Sequence, residues 1–134
     1  YNETAVAKQK NLIDKLHKRG ARVLISSHIM KFTPADEVLK IALAHQSRGA
    51  DISKIVVGAD NTEQQIENLK MINMLKEKLD VPFLFLSGGE CKILRRIGGE
   101  LGCCMYLCVY EYDNFATPLQ PLLKKVKAIR DNMD

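Results

Sequence analysis

Short apolar runs alternate along the chain with longer stretches in which apolar positions recur every three or four residues. The runs are ARVLIS (21–26), ISKIVV (52–57), VPFLFLS (81–87) and CCMYLCVY (103–110). Each has the length of a strand, and none has the strict polar–apolar alternation of a sheet with one wet face. Each therefore predicts a strand buried on both sides. Before the first run, Val6, Leu12, Ile13 and Leu16 approximate one helical face between Glu3 and Arg19, and Gly20 supplies a stop. Thr33 predicts an N-cap with Pro34 in the first turn, Asp36 and Glu37 near the positive helix end, and a close at Gly49. Asn61 or Thr62 caps the next helix, Glu63 to Leu79, with Ile66, Leu69, Ile72 and Leu75 facing inward. Gly88 and Gly89 make a turn before a short helix at about 91–98. After the fourth run a polar loop, EYDNFA, leads to Thr117-Pro118 and a closing helix that reaches about Asn132.

A helix followed by four βα units indicates the α/β class, a parallel sheet covered by flanking helices. Four units are half of an eight-stranded (β/α)8 barrel, which takes about 250 residues, and they also suit a small open sheet wound on both faces. The count alone does not choose between these. With 134 residues, 46% of them hydrophobic, the chain is read as a single domain, 1–134. No apolar run approaches the ~20 residues of a membrane span, and YNETAVAKQK lacks a signal-peptide pattern, so a soluble, cytoplasmic protein is expected. The net charge of +4 is spread along the chain, which favours small anions over nucleic acid as partners. Cys91, Cys103, Cys104 and Cys108 form no CxxC pair, and three of them fall within CCMYLCVY, where reduced cysteines acting as small hydrophobes are expected.

Parallel βα folds place their chemistry at the carboxyl ends of strands, which draws attention to His28, directly after the first run. Lys54 sits among β-branched neighbours in the second run. Burial disfavours an ammonium, and a neutral amine is the form that attacks a carbonyl carbon; equally, the first turn of a strand lies at an exposed rim. Arg95 and Arg96 are each suited to a bidentate bond with a carboxylate, or to the solvated face of a short helix. GGELG (98–102) precedes a strand and lacks the spacing of a phosphate-binding loop. His17 and His45 lie in predicted helices, as structural or exposed residues, and Met71 and Met74 read as core filling.

Several of these features, in this order, resemble the carboxyl-terminal half of type I 3-dehydroquinate dehydratase, a Schiff-base lyase of the shikimate pathway of aromatic amino acid biosynthesis. The resembling segments are SSH (26–28) with Thr33-Pro34, GADISKIVV (49–57), RIGGE (96–100) and TPLQ (117–120). The resemblance implies a half TIM barrel, with Lys54 as the imine-forming amine, His28 as the general acid and base, and Arg96 and Gln120 as substrate-binding residues. It implies 3-dehydroquinate as substrate, no metal and no organic cofactor. Ile29, Ala116, Leu84 and Leu86 stand where the family usually carries other residues, and the spacing after Ser87 makes Arg95 a second candidate for the carboxylate. A half barrel exposes sheet edges, so self-association or a missing amino-terminal half is expected. A non-catalytic, carboxylate-binding or regulatory relative is the alternative function, and a different lysine-imine enzyme such as an aldolase is a third.

Overall fold

The structure, a computed structural model, describes residues 3–133. Its elements run α1 (Glu3–His17), β1 (Leu24–His28), α2 (Ala35–Ser47), β2 (Ile52–Val57), α3 (Thr62–Lys78), β3 (Phe83–Ser87), α4 (Leu94–Leu101) and α5 (Leu123–Asp131). The three strands form one parallel sheet in the order β1-β2-β3. Ser26 stands opposite Lys54 and Lys54 opposite Leu84; His28 stands opposite Val56 and Val56 opposite Leu86. Because side chains alternate across a strand, these six residues share one face, and the core lies mainly between the other face and the helices. Val38 and Ala42 of α2, and Met71, Ile72 and Leu75 of α3, pack there with Ile55, Val57 and Phe85, all buried.

The α/β class with parallel strands and flanking helices is as the hydrophobic pattern predicts; five details differ. The fourth run, 103–110, does not become a strand. Cys104 N–H donates to the Phe83 carbonyl (2.9 Å), but the Cys103 sulfur then takes the next edge groups, accepting from Phe85 N–H (3.5 Å) and donating to Phe85 O (3.6 Å). The run crosses the sheet edge with Met105 and Leu107 against the core and ends in a single bridge between Val109 and Leu122. Thr33 does not cap α2: it is buried, its hydroxyl donates to Lys31 O, and the cap position is Pro34. On α3, Asn61 caps by accepting from Gln64 N–H (2.9 Å), but the helix is rotated so that Asn68 is buried and Ile66 is exposed. On α1, Leu12 is likewise exposed and Ile13 alone is fully buried. The closing helix starts at Leu123, after a turn over 118–120, and not at Thr117-Pro118.

Candidate active site

The inner face of the sheet carries His28 at the end of β1 and Lys54 in β2, on a diagonal one rung apart. That diagonal spans roughly 7–8 Å between backbones, well within reach of a lysine and an imidazole. Lys54 Nζ and His28 Nε2 are 3.1 Å apart. Val56 and Leu86 form an apolar floor beside them. The loop after His28 is strapped to the end of β2, since Ile29 and Met30 N–H both donate to Val56 O and Gly58 N–H donates to Lys31 O. The close approach requires glycine: a Cβ on Gly58 would lie 2.8 Å from Met30 O. Met30 itself holds a positive φ of 63° and lines the cavity above the lysine.

Opposite the pair, α4 delivers Arg95. It is 7% exposed, its Nε donates to Ser87 O (2.8 Å) at the end of β3, and among the described residues it has no ion-pair partner. Burial lowers the guanidinium from its ordinary value, and at neutral pH it remains a cation. A buried, unneutralised guanidinium beside an open cavity is suited to receive an anion. Gly89, at φ 63°, makes the turn between β3 and α4, where a Cβ would run into Ala59 O.

The loop of residues 110–121 forms a further wall of the cavity. Its ends are joined by Val109 N–H to Pro121 O (3.0 Å) and Leu123 N–H to Val109 O (2.9 Å), and Asp113 Oδ1 accepts from Phe115 and Ala116 N–H. This presents Thr117, Leu119 and Gln120 to the cavity, which measures about 200 Å³ and is also lined by His28, Lys54, Arg95 and Leu107. An amine, an imidazole, a guanidinium and an amide thus converge on a space suited to a small organic acid.

Of the residues singled out in the sequence, Lys54, His28 and Gln120 line one cavity. Arg96 does not: its guanidinium turns back along α4 to donate to Lys92 O (2.6 Å), and Arg95 takes the inward place. The cause is helical geometry, because adjacent residues point about 100° apart and the buried positions of α4, Leu94, Arg95 and Gly98, form one stripe. His45 is fully buried, with Nε2 2.9 Å from Ser27 Oγ and Nδ1 3.0 Å from Ser53 Oγ. Burial, and secondarily the charge of Arg48, pull its pKa down to about 4. His17 is at the surface, 2.9 Å from Asp51, whose carboxyl is held low by the Val23 N–H and by His17 itself. Cys91 and Cys103 are buried, whereas Cys104 is exposed.

Residues 2–130 match the family model described as type I 3-dehydroquinase. The 3-dehydroquinate dehydratase of Alkaliphilus oremlandii is 38% identical over 94 residues, covering 69% of this chain and 37% of that protein. That of Syntrophotalea carbinolica is 31% identical over 103 residues, covering 75% and 40%. Among solved structures, 3-dehydroquinate dehydratase from Geobacillus kaustophilus superposes with a TM-score of 0.85 at 18% identity, covering 98% of this chain and 51% of that one. The type I enzyme from Clostridium difficile, solved with covalently modified comenic acid, gives 0.83 at 21% identity, covering 94% and 50%. The chain therefore spans about two fifths of the length of these curated relatives and half of these solved chains.

Proposed function

The chain belongs to the type I 3-dehydroquinase family, and from that premise we propose that it carries the imine-forming half of a 3-dehydroquinate dehydratase site. Lys54 Nζ attacks the C3 ketone of 3-dehydroquinate, and the carbinolamine loses water to give an imine. The imine draws electrons from C2, whose proton passes to His28 Nε2. The resulting enamine expels the C1 hydroxyl, which leaves as water with the proton His28 returns. Hydrolysis of the imine frees 3-dehydroshikimate and Lys54, so the net change is loss of one water. Arg95 holds the substrate carboxylate, and Gln120 contacts the ring from the loop. The observation that carries this reading is the 3.1 Å approach of Lys54 Nζ to His28 Nε2 beside a buried, unneutralised arginine. The covalent ligand of the Clostridium difficile enzyme, itself an acid, supports the same ligand class.

A second copy or an amino-terminal companion segment completes the site, supported by the open edge of β1 and by His28 lying exposed beside it. Sedimentation should then show mass-action association, or association with an added companion half; a lone monomer at every concentration contradicts self-association. A cytoplasmic setting accompanies this reading, supported by four cysteines that are all free thiols.

Dehydration creates a conjugated enone, so adding 3-dehydroquinate should raise absorbance in the short-wavelength ultraviolet band of an enone, and Lys54→Met should abolish the rise. Saturable binding without enone formation would replace the lyase reading with a carboxylate-binding module.

A further inference from the structure

The helix-facing side of the sheet holds a polar contact that the reaction above does not use. Ser27 and Ser53 immediately precede His28 and Lys54, so their side chains point to the opposite face. In the strand register Ser27 faces Ile55, and Ser53 faces Ile25, which puts the two serines on a diagonal of β1 and β2. His28 faces Val56 and Lys54 faces Ser26, the same diagonal displaced by one residue. The imidazole of His45, reaching down from α2, fills the serine diagonal with one hydrogen bond at each ring nitrogen, at 2.9 and 3.0 Å. The amine–imidazole pair and the serine–imidazole–serine bridge therefore lie back to back across a single sheet.

We propose that His45 is a positioning residue, which clamps β1 to β2 from behind and thereby sets the distance between Lys54 and His28. The proposal rests on the imine reading for its catalytic consequence, but its geometric content stands apart from it. β1 is the edge strand, paired on one side only among the described residues, so its placement depends on what ties it to β2. Backbone hydrogen bonds fix register but tolerate small displacements and twisting of an edge strand. A rigid ring bonded to one side chain from each strand restricts both. The ring is buried and stays neutral at physiological pH, with one nitrogen donating and the other accepting, and the rotating hydroxyls accommodate either tautomer. Loss of the bridge frees β1 to drift at the position that carries the base. The carboxylate contact proposed for Arg95 comes from α4, tied to β3 through Ser87 O and not to β1, and is left intact. The signature is therefore a fall in kcat with little change in KM.

The test uses the complete chain labelled with 15N in its histidines. Ser53→Ala and Ser27→Ala each remove one arm of the bridge, His45→Leu removes both, and His45→Gln restores an amide that donates and accepts. The His28 ring resonances report the Lys54 contact without substrate, with Lys54→Met defining the contact-free value. The expected result is that Ser53→Ala and Ser27→Ala remain folded, shift the His28 resonances toward that value, and lower kcat at least tenfold with KM within twofold, while His45→Gln recovers most of both. Should His45→Leu fail to fold, the serine variants carry the test. Folded serine variants with wild-type His28 resonances and wild-type kcat overturn the proposal. Wild-type protein that never dehydrates 3-dehydroquinate, yet shows the serine-dependent shift at His28, overturns the functional reading and upholds the clamp.

Discussion

Two adjacent arginines show how one residue's rotation decides a role. Arg95 is buried with its Nε fixed on Ser87 O and, among the described residues, no carboxylate paired with it, whereas Arg96 bonds its own helix at Lys92 O. A hydrogen bond between charged partners contributes about 1.5–3 kcal/mol, so Arg95→Ala should lower kcat/KM roughly 10- to 100-fold, chiefly through KM. Arg96→Ala should change it less than about twofold by the same reasoning. Steady-state kinetics on both variants checks this, and the reverse ranking would return the carboxylate to Arg96. The motif RIGGE points to Arg96, but Leu94 and Gly98 stand four residues apart on the buried face of α4, and Arg95, three residues before Gly98, shares that face. Lys54 and His28 were legible because one sits among β-branched neighbours, the other follows the carboxyl end of a strand, and family motifs mark both; that they share a face comes from the strand register. His45 was not, since nothing in the sequence reveals that Ser27 and Ser53 would come within reach of a helix residue from two different strands.

At the scale of elements, the first three βα units follow from length and punctuation, and the fourth fails for a reason that composition hides. CCMYLCVY has the apolar content of a buried strand, but the Cys103 side chain satisfies the Phe85 edge groups that a backbone ladder would need. Its thiol is pushed up to about 11 by burial, which suits a packing role and not a reactive one. Polar bridges tie the remaining elements: His45 joins α2 to β1 and β2, and Asn68 joins α3 to β2 and β3 through Gly58 O and Ser87 Oγ. Neither was legible in the sequence, because Asn68 takes an inward place where periodicity favoured Ile66. The His45 bridge has a pH signature. Its folded pKa, about 4, lies below the 6.5 of a free imidazole, so below about pH 6.5 the unfolded chain takes up a proton the folded one refuses. Stability from this residue is complete above pH 6.5, is lost progressively toward pH 4, and changes no further below it. The whole effect is at most about 3 kcal/mol. Urea midpoints from pH 7 to 4 should fall more steeply for wild type than for His45→Gln. Asp51 loses its own contribution in acid equally in both, so parallel slopes would contradict the assignment.

For the molecule as a whole, the sheet presents an amine and an imidazole on one face and a packed helical layer on the other, with α4 and the 110–121 loop completing one wall. The matched part is about half of the solved relatives' chains, and among the described residues β1 pairs on one side only. On the proposed reading, imine formation asks less of the surroundings than the full dehydration does, because Lys54, His28 and Arg95, the proposed nucleophile, proton acceptor and carboxylate anchor, line one cavity. The decisive measurement is therefore reductive trapping: incubation with 3-dehydroquinate and borohydride, followed by peptide mass mapping. The expected result is a single secondary amine carrying the reduced substrate at Lys54, absent from Lys54→Met and diminished in Arg95→Ala. An unmodified Lys54 at saturating substrate, or label spread over surface lysines, would contradict the account.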